Sequence, residues 1–319
     1  MQLTGLHHVT AVTGNVSKNI HFYTQVMGLR LVKKTVNQDD VSAYHLYYAD
    51  NDGDPGTDLT FFDWPHIGRN SAGTGTIGTI AMRVAGPEAI EWWVRHLEEN
   101  GVTIQSRGEF AGRQGIQFTD PEGMSLALYE DGNAPTNSKP WKKSPIPAEF
   151  AIRGLDVATI VVRQIEPLAL VLTDVLGFRQ SRHYQLSAEE GHQMYVFETG
   201  EGGPGTEVHV EARPNGRNGR LGIGGVHHIA FRTPTPEEHQ LWRERIAQVG
   251  LGVTPVIDRF YFKSIYFRVP GGVLFEIATD GPGFATDEDI EHLGETLALP
   301  PFLEAQRAEI EKGLTPIQN

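Results

Sequence analysis

Two nine-residue stretches, GLHHVTAVT at 5–13 and GVHHIAFRT at 225–233, each set a pair of adjacent histidines at the head of an alternating apolar run. Neighbouring side chains of a strand point to opposite faces, so the two histidines of a pair part company. In the later stretch His227 shares a face with Ile229 and Phe231, a bulky surface suited to packing on a helix. His228, and by repeat equivalence His8, then looks the other way, into a concavity. Two neutral imidazoles aimed into one cavity have the character of metal ligands.

A third donor is expected from a strand that follows a turn. Four segments run from a proline turn into alternating apolar residues: DPGTDLTFF (54–62), DPEGMSLALYE (120–130), GPGTEVHVEA (203–212) and VPGGVLFEIAT (269–279). Aligned on their prolines, the sixth residue onward is Phe61, Ala127, Val210 and, in the last segment, Glu276. An acid flanked by Phe275 and Ile277 needs a partner, because an unpaired buried carboxylate is costly. A metal bound by His8, His228 and Glu276 supplies one, in the two-histidine, one-carboxylate set associated with non-haem Fe(II) and oxygen. The plainer alternative, histidines hydrogen-bonded in a core, suits a single histidine. It leaves two equivalent ones in phase with a glutamate unexplained.

The remaining candidates weigh less. Tyr266, counted outward from the last turn, falls on the strand paired with Glu276, where it could exchange a proton with a phenolic substrate or simply pack. Arg259 could steady an anionic oxygen or pair near Asp258. His21, His96 and His239 fall on expected helices as surface or flanking residues. His45, His183, His192 and His209 lie on or beside strands with no acid in phase, and a structural role is expected for them.

The elements that must hold these residues repeat four times. Each proline-turn ending is preceded by a strand, an amphipathic helix closed by glycine, and more strand. The helices are expected at 17–27 before Gly28, at PEAIEWWVRHLEEN before Gly101, at IEPLALVLTDVL before Gly177 and at PEEHQLWRERIAQV before Gly250. This gives an α+β chain of βαβββ modules at about 5–63, 76–130, 152–213 and 224–280. They fall into an N-terminal pair within 1–130 and a C-terminal pair within 151–283. Residues 131–150, beginning DGNAPTNSKPWKKSPIP, form a linker, and 284–319 are expected as a helical tail that packs as an appendage.

Composition bounds the function. The chain has 319 residues, 39% hydrophobic and 21% charged, enough for two soluble domains. With no cysteine, disulfides, thiolate metal sites and a cysteine nucleophile are excluded. A net charge of −13 without a basic stripe argues against nucleic acid. No apolar run reaches the ~20 residues of a membrane span, so a cytoplasmic protein is expected.

The motifs LHHVTAVTGN, YHLYYAD…GDPGT, EWWVRHL, HHIAF, YF.S.YFR.PGGVLFE and the trailing DED…LG resemble, over nearly the whole chain, the vicinal oxygen chelate superfamily. Within it the sequence is most similar to ring-cleaving dioxygenases of the hydroquinone 1,2-dioxygenase type. The resemblance implies four modules in two incomplete eight-stranded barrels. It also implies an Fe(II) centre, with Mn(II) as the alternative, on His8, His228 and Glu276, and a substrate site lined by His7, Thr10, His227, Arg259 and Tyr266. Tyr266, with a histidine of the His7/His227 pair, would manage protons while O₂ opens a hydroquinone or catechol ring. Two other readings are a glyoxalase-like lyase and a metal-free binding protein. Such lyases usually have four protein ligands, and Phe61 occupies the place of the fourth; the binding protein leaves the His, His, Glu set without a purpose. A small aromatic substrate and O₂ are the expected partners, and a homo-oligomer is left open. Modules one and four of one chain should form the metal cup and modules two and three a metal-free one.

Overall fold

The computed structural model describes residues 1–317, so the last two residues of the expected tail lie outside the described residues. Module one runs β1 (Leu6–Thr13), α1 (Val16–His21), β2 (Arg30–Asn37), β3 (Asp40–Ala49), β4 (Asp58–Asp63). Module two runs β5 (Thr76–Val84), α2 (Pro87–Glu99), β6 (Ser106–Phe110), β7 (Arg113–Thr119), β8 (Ser125–Glu130). Module three runs β9 (Leu155–Val162), α3 (Glu166–Leu170), β10 (Arg179–Gln185), β11 (Gln193–Glu198), β12 (Glu207–Ala212). Module four runs β13 (Val226–Thr233), α4 (Pro236–Gln248), β14 (Ile257–Asp258), β15 (Lys263–Arg268), β16 (Leu274–Thr279).

In every module the first strand pairs in parallel with the last, across the helical crossover. The modules join through their first strands: β1 lies antiparallel to β13, and β5 to β9. The result is two half-open cups of eight strands each. Modules one and four make the first cup (order β2-β3-β4-β1-β13-β16-β15-β14) and modules two and three the second, bridged where Val226 of β13 meets Ile77 of β5.

The helices form where their ends are satisfied. Asn15 and Thr235 accept the backbone N–H of Lys18 and Glu238, capping α1 and α4. Proline stands at the start of α2 and α4, and Gly101 and Gly250 take the left-handed conformation beyond them. Trp93 and Trp242 fill the space between helix and sheet with under 2% exposure, and truncating either to alanine should cost about 3–5 kcal/mol. α1 and α3 each widen into one π turn, at Phe22–Val26 and Val171–Val175, so modules one and three resemble each other more than either resembles two or four.

The glycine before each histidine pair marks a close crossing. A Cβ on Gly5 (φ 129°) would lie 2.7 Å from the Gly205 carbonyl oxygen, and one on Gly225 would strike Asn70 Oδ1.

The expected helical tail is corrected in its first half. TDEDIEHLGETL holds only a three-residue turn at Ile290–His292, and true helix (α5, Arg307–Gly313) appears only in the second half. The acids that read as a helix face are drawn elsewhere. Lys33 of β2, fully buried, pairs with Asp287 at 2.7 Å and with Glu288. Leu297 and Ala298 then bridge to Lys34, covering the free edge of β2. Leu299, Leu303, Ile310 and Leu314 complete the packing. Among the described residues no helix is long and apolar enough to cross a membrane.

Candidate active site

The inner face of the first cup gathers His8, His228 and Glu276. Register brings them together: His228 stands opposite Thr10 across the β1–β13 seam, and Glu276 opposite Ala230 across β13–β16. The two Nε2 atoms lie 3.3 Å apart, and Glu276 Oε2 lies 3.2 Å from that of His8 and 2.9 Å from that of His228. Donors bound to one first-row ion at about 2.0–2.2 Å, at right angles to each other, are separated by about 3 Å. Glu276 is 0% exposed, and neither imidazole meets its Oε2 at a hydrogen-bonding angle, although both are at ion-pair distance. Three buried metal-ligating atoms therefore converge on one point, with Glu276 Oε2 left without a hydrogen-bond partner, an arrangement that a cation satisfies.

The histidines next in sequence brace the ligand rings, and His7 sets the tautomer of His8. His7 Nε2 lies 3.1 Å from the Thr279 carbonyl oxygen, which can only accept, so that nitrogen carries the proton. Burial, reinforced by His8, lowers the His7 pKa to about 3 and keeps the ring neutral. Its Nδ1 must then accept from His8 Nδ1, 2.9 Å away, which leaves the lone pair of His8 Nε2 pointing at Glu276. His227 and His228 share the same contact at 2.8 Å, and burial likewise lowers His227 to about 3. Such contacts fix ring orientation and ligand basicity. Ser264, fully buried, donates to the other Glu276 oxygen at 2.5 Å.

A cavity of about 30 Å³ opens beside these ligands, walled by His45, Tyr47, Phe62, Phe262, Arg259 and Tyr266. Tyr266 stands opposite Glu276 across β15–β16, and its hydroxyl accepts from Arg259 Nε at 3.3 Å. Burial, with the Glu276 carboxylate nearby, raises the Tyr266 phenol well above its usual value, so it stays protonated. Arg259 pairs with Asp39 of module one rather than near Asp258. Of the residues expected to line the substrate site, His7, His227 and Thr10 are not among the side chains that wall this cavity. Both nitrogens of His7 are already engaged, His227 faces a separate crevice beside Arg268, and Thr10 Oγ1 is bonded to Thr60 Oγ1 at 2.8 Å.

Two wall or support residues were not expected at the site from the sequence, where His45 reads as structural. His45 receives the Tyr47 hydroxyl at 2.8 Å on Nδ1 and reaches Thr60 Oγ1 at 3.0 Å with Nε2, in a hydrogen-bonded chain that ends at Thr10. Only the pairing of β3 with β4 reveals it. Ser264 was accessible, being two residues before Tyr266 on one strand and hence on the same face.

The proline alignment also needs correction. Thr60 pairs with Thr10 as Glu276 pairs with Ala230, so Thr60, not Phe61, holds the equivalent position in module one. His209, not Val210, holds it in module three, opposite Thr159. The turns of modules one and three are one residue shorter than those of two and four, and a one-residue slip exchanges the faces of a strand. The conclusion survives, since only module four carries an acid there. His209 pairs with Glu207 at 2.8 Å and His192 with Glu211 at 2.7 Å, so both have acidic partners after all. The second cup holds Ala81, Ala127 and Val157 with an Arg113–Asp156–Glu207 network, and His8, His228 and Glu276 are the only cluster of metal-ligating type among the described residues. His239 is buried and bonded to the Ile277 carbonyl rather than at the surface.

A family model described as the glyoxalase/bleomycin resistance protein/dioxygenase superfamily matches residues 5–128 and again 154–277. The provisionally named ring-cleaving dioxygenase MhqA of Bacillus subtilis is 44% identical over 318 residues, covering 100% of both chains. The chlorohydroquinone/hydroquinone 1,2-dioxygenase of Sphingobium indicum is 30% identical, over 97% of this chain and 95% of that one. The crystal structure of a provisionally named dioxygenase from Bacillus subtilis superposes with a TM-score of 0.90 at 38% identity, over 99% and 98% of the two chains.

Proposed function

Since the chain belongs to the glyoxalase/bleomycin resistance protein/dioxygenase superfamily, we propose that it is a ring-cleaving dioxygenase that opens a hydroquinone or catechol-like ring with O₂ at an Fe(II) centre. The observation that carries this reading is the donor set. His8 Nε2, His228 Nε2 and the unpartnered Glu276 Oε2 converge within 3.3 Å of one another, and no fourth ligand joins them among the described residues. Fe(II) held by His8, His228 and Glu276 would supply the redox chemistry that lets an electron-rich phenol react with O₂.

The chain's own residues do the rest. Tyr266 keeps its proton at the hydroxyl and can hand it to, or take it from, a phenolic oxygen lying in the cavity. Arg259 Nε steadies the Tyr266 oxygen whenever that proton leaves. His7 acts from behind, holding His8 in the tautomer that leaves Nε2 free, and His227 holds the His228 ring through the same Nδ1–Nδ1 contact. Phe62 and Phe262, both buried, offer ring faces to an aromatic substrate and exclude water. The hydroquinone class is supported by the Sphingobium relative, and the three-ligand set separates this reading from a four-ligand lyase.

The test is oxygen uptake by protein loaded anaerobically with Fe(II) or Mn(II), against a panel of hydroquinones and catechols. One O₂ should disappear per ring opened, with both oxygen atoms in the product and hydroquinones preferred. Absence of uptake with every member of the panel under either metal would overturn the proposal.

A further inference from the structure

Side chains from two different modules close the mouth of the candidate site. Asp39, on the turn between β2 and β3, is 69% exposed, and its oxygens take Arg259 Nη1 at 3.1 Å and Nη2 at 2.8 Å. The same turn grips Arg259 again through Gln38 Nε2, which donates to the Arg259 carbonyl at 2.9 Å. The remaining guanidinium donor, Nε, is the one on the Tyr266 hydroxyl, with the guanidinium carbon 5.3 Å from the Tyr266 ring centre. On the module-four side the loop is tightly built. Arg259 N donates to the Phe262 carbonyl at 2.9 Å, and Phe260 sits at φ 71°, a left-handed conformation that a bulky residue rarely takes.

With this pair made, the cavity over His8 and His228 measures about 30 Å³. A single water requires about 10–15 Å³ on this measure, so the space admits a water or two and not a six-membered ring. Some part of the wall must move before an aromatic substrate can reach the ligands. Tyr47, Phe62 and Phe262 are buried and held by packing. The Asp39 carboxylate is in solvent, where an ion pair is screened and weak.

We propose that Asp39 is a positioning residue acting through Arg259: the pair parts to admit the ring, then re-forms behind it and returns Nε to the Tyr266 oxygen. This rests on the ring-cleaving reading, since the size argument concerns an aromatic substrate.

The test uses the Fe(II)-loaded full chain. Without oxygen, stopped-flow absorbance follows uptake of 4-nitrocatechol, a coloured phenol that then cannot turn over. In wild type the second-order association rate should be set by the fraction of molecules in which the pair is open. In Asp39→Asn it should be about threefold higher, the effect of releasing an exposed ion pair. In air, Asp39→Asn should lower kcat for a hydroquinone about tenfold with a smaller change in KM, as expected of an interaction used mainly in the transition state. Asp39→Glu should restore both rates, and all three proteins should share one melting temperature. Identical association rates and kcat in wild type and Asp39→Asn would overturn the proposal. If wild type takes up the probe yet consumes no oxygen with any hydroquinone, the ring-cleaving reading fails, while the association rates still decide the role of Asp39.

Discussion

Glu276 is tied at one oxygen to Ser264 and faces two imidazole nitrogens with the other, so its neighbours can be varied one at a time. Ser264→Ala removes a single hydrogen bond outside the ligand set. Metal affinity should fall about 10–100-fold with the fold intact, a size typical of outer-shell partners; competition with a fluorescent chelator, alongside circular dichroism, reads both. Tyr266→Phe touches no ligand. It should keep the metal and slow turnover by about 10²-fold, the usual effect of losing a proton donor, and unchanged ring-cleavage turnover would return Tyr266 to a packing role. His8, His228 and Glu276 were legible because strand phase alone aims them into one concavity. His45 was not, because its partners Tyr47 and Thr60 become neighbours only through the β3–β4 pairing, which no local pattern encodes.

Strands, turns and the tail divide in the same way. Glycine stops and proline turns announced four copies of one module, since both features are local. Register was harder. Counting from a proline assumes equal turns, and the one-residue difference put Phe61 where Thr60 stands. The tail misled for a different reason. Its acids have helical spacing, but Asp287 and Glu288 are claimed by Lys33, a charge with 0% exposure, and Tyr261 donates to Asp287 at 2.9 Å. Removing one partner of a buried pair leaves the others uncompensated. Lys33→Met should therefore cost about 3 kcal/mol, read as a lower urea midpoint. Adding Asp287→Asn and Glu288→Gln should recover part of that loss, and a Lys33→Met midpoint equal to wild type would refute the clamp.

Across the entire chain, two cups share one ancestry of form and divide the chemistry. The first cup takes β1 from one end of the sequence and β13 and β16 from the other, so the metal ligands are some 220 residues apart at His8 and His228 yet adjacent in space. The second cup offers Val157 and Ala127 at corresponding places, and among the described residues no cluster of metal-ligating type forms there. Because all three ligands come from one chain, mixing His8→Ala with Glu276→Ala protein under demonstrated subunit exchange should restore no activity; recovery would mean that the cup is assembled between chains. The decisive measurement is metal content paired with oxygen uptake, on wild type and Glu276→Ala loaded anaerobically with Fe(II) and desalted. Wild type should carry one iron per chain and consume oxygen with a hydroquinone, while Glu276→Ala should carry none and consume none. A Glu276→Ala protein that keeps its iron and turns over at the wild-type rate would contradict the assignment of the metal centre.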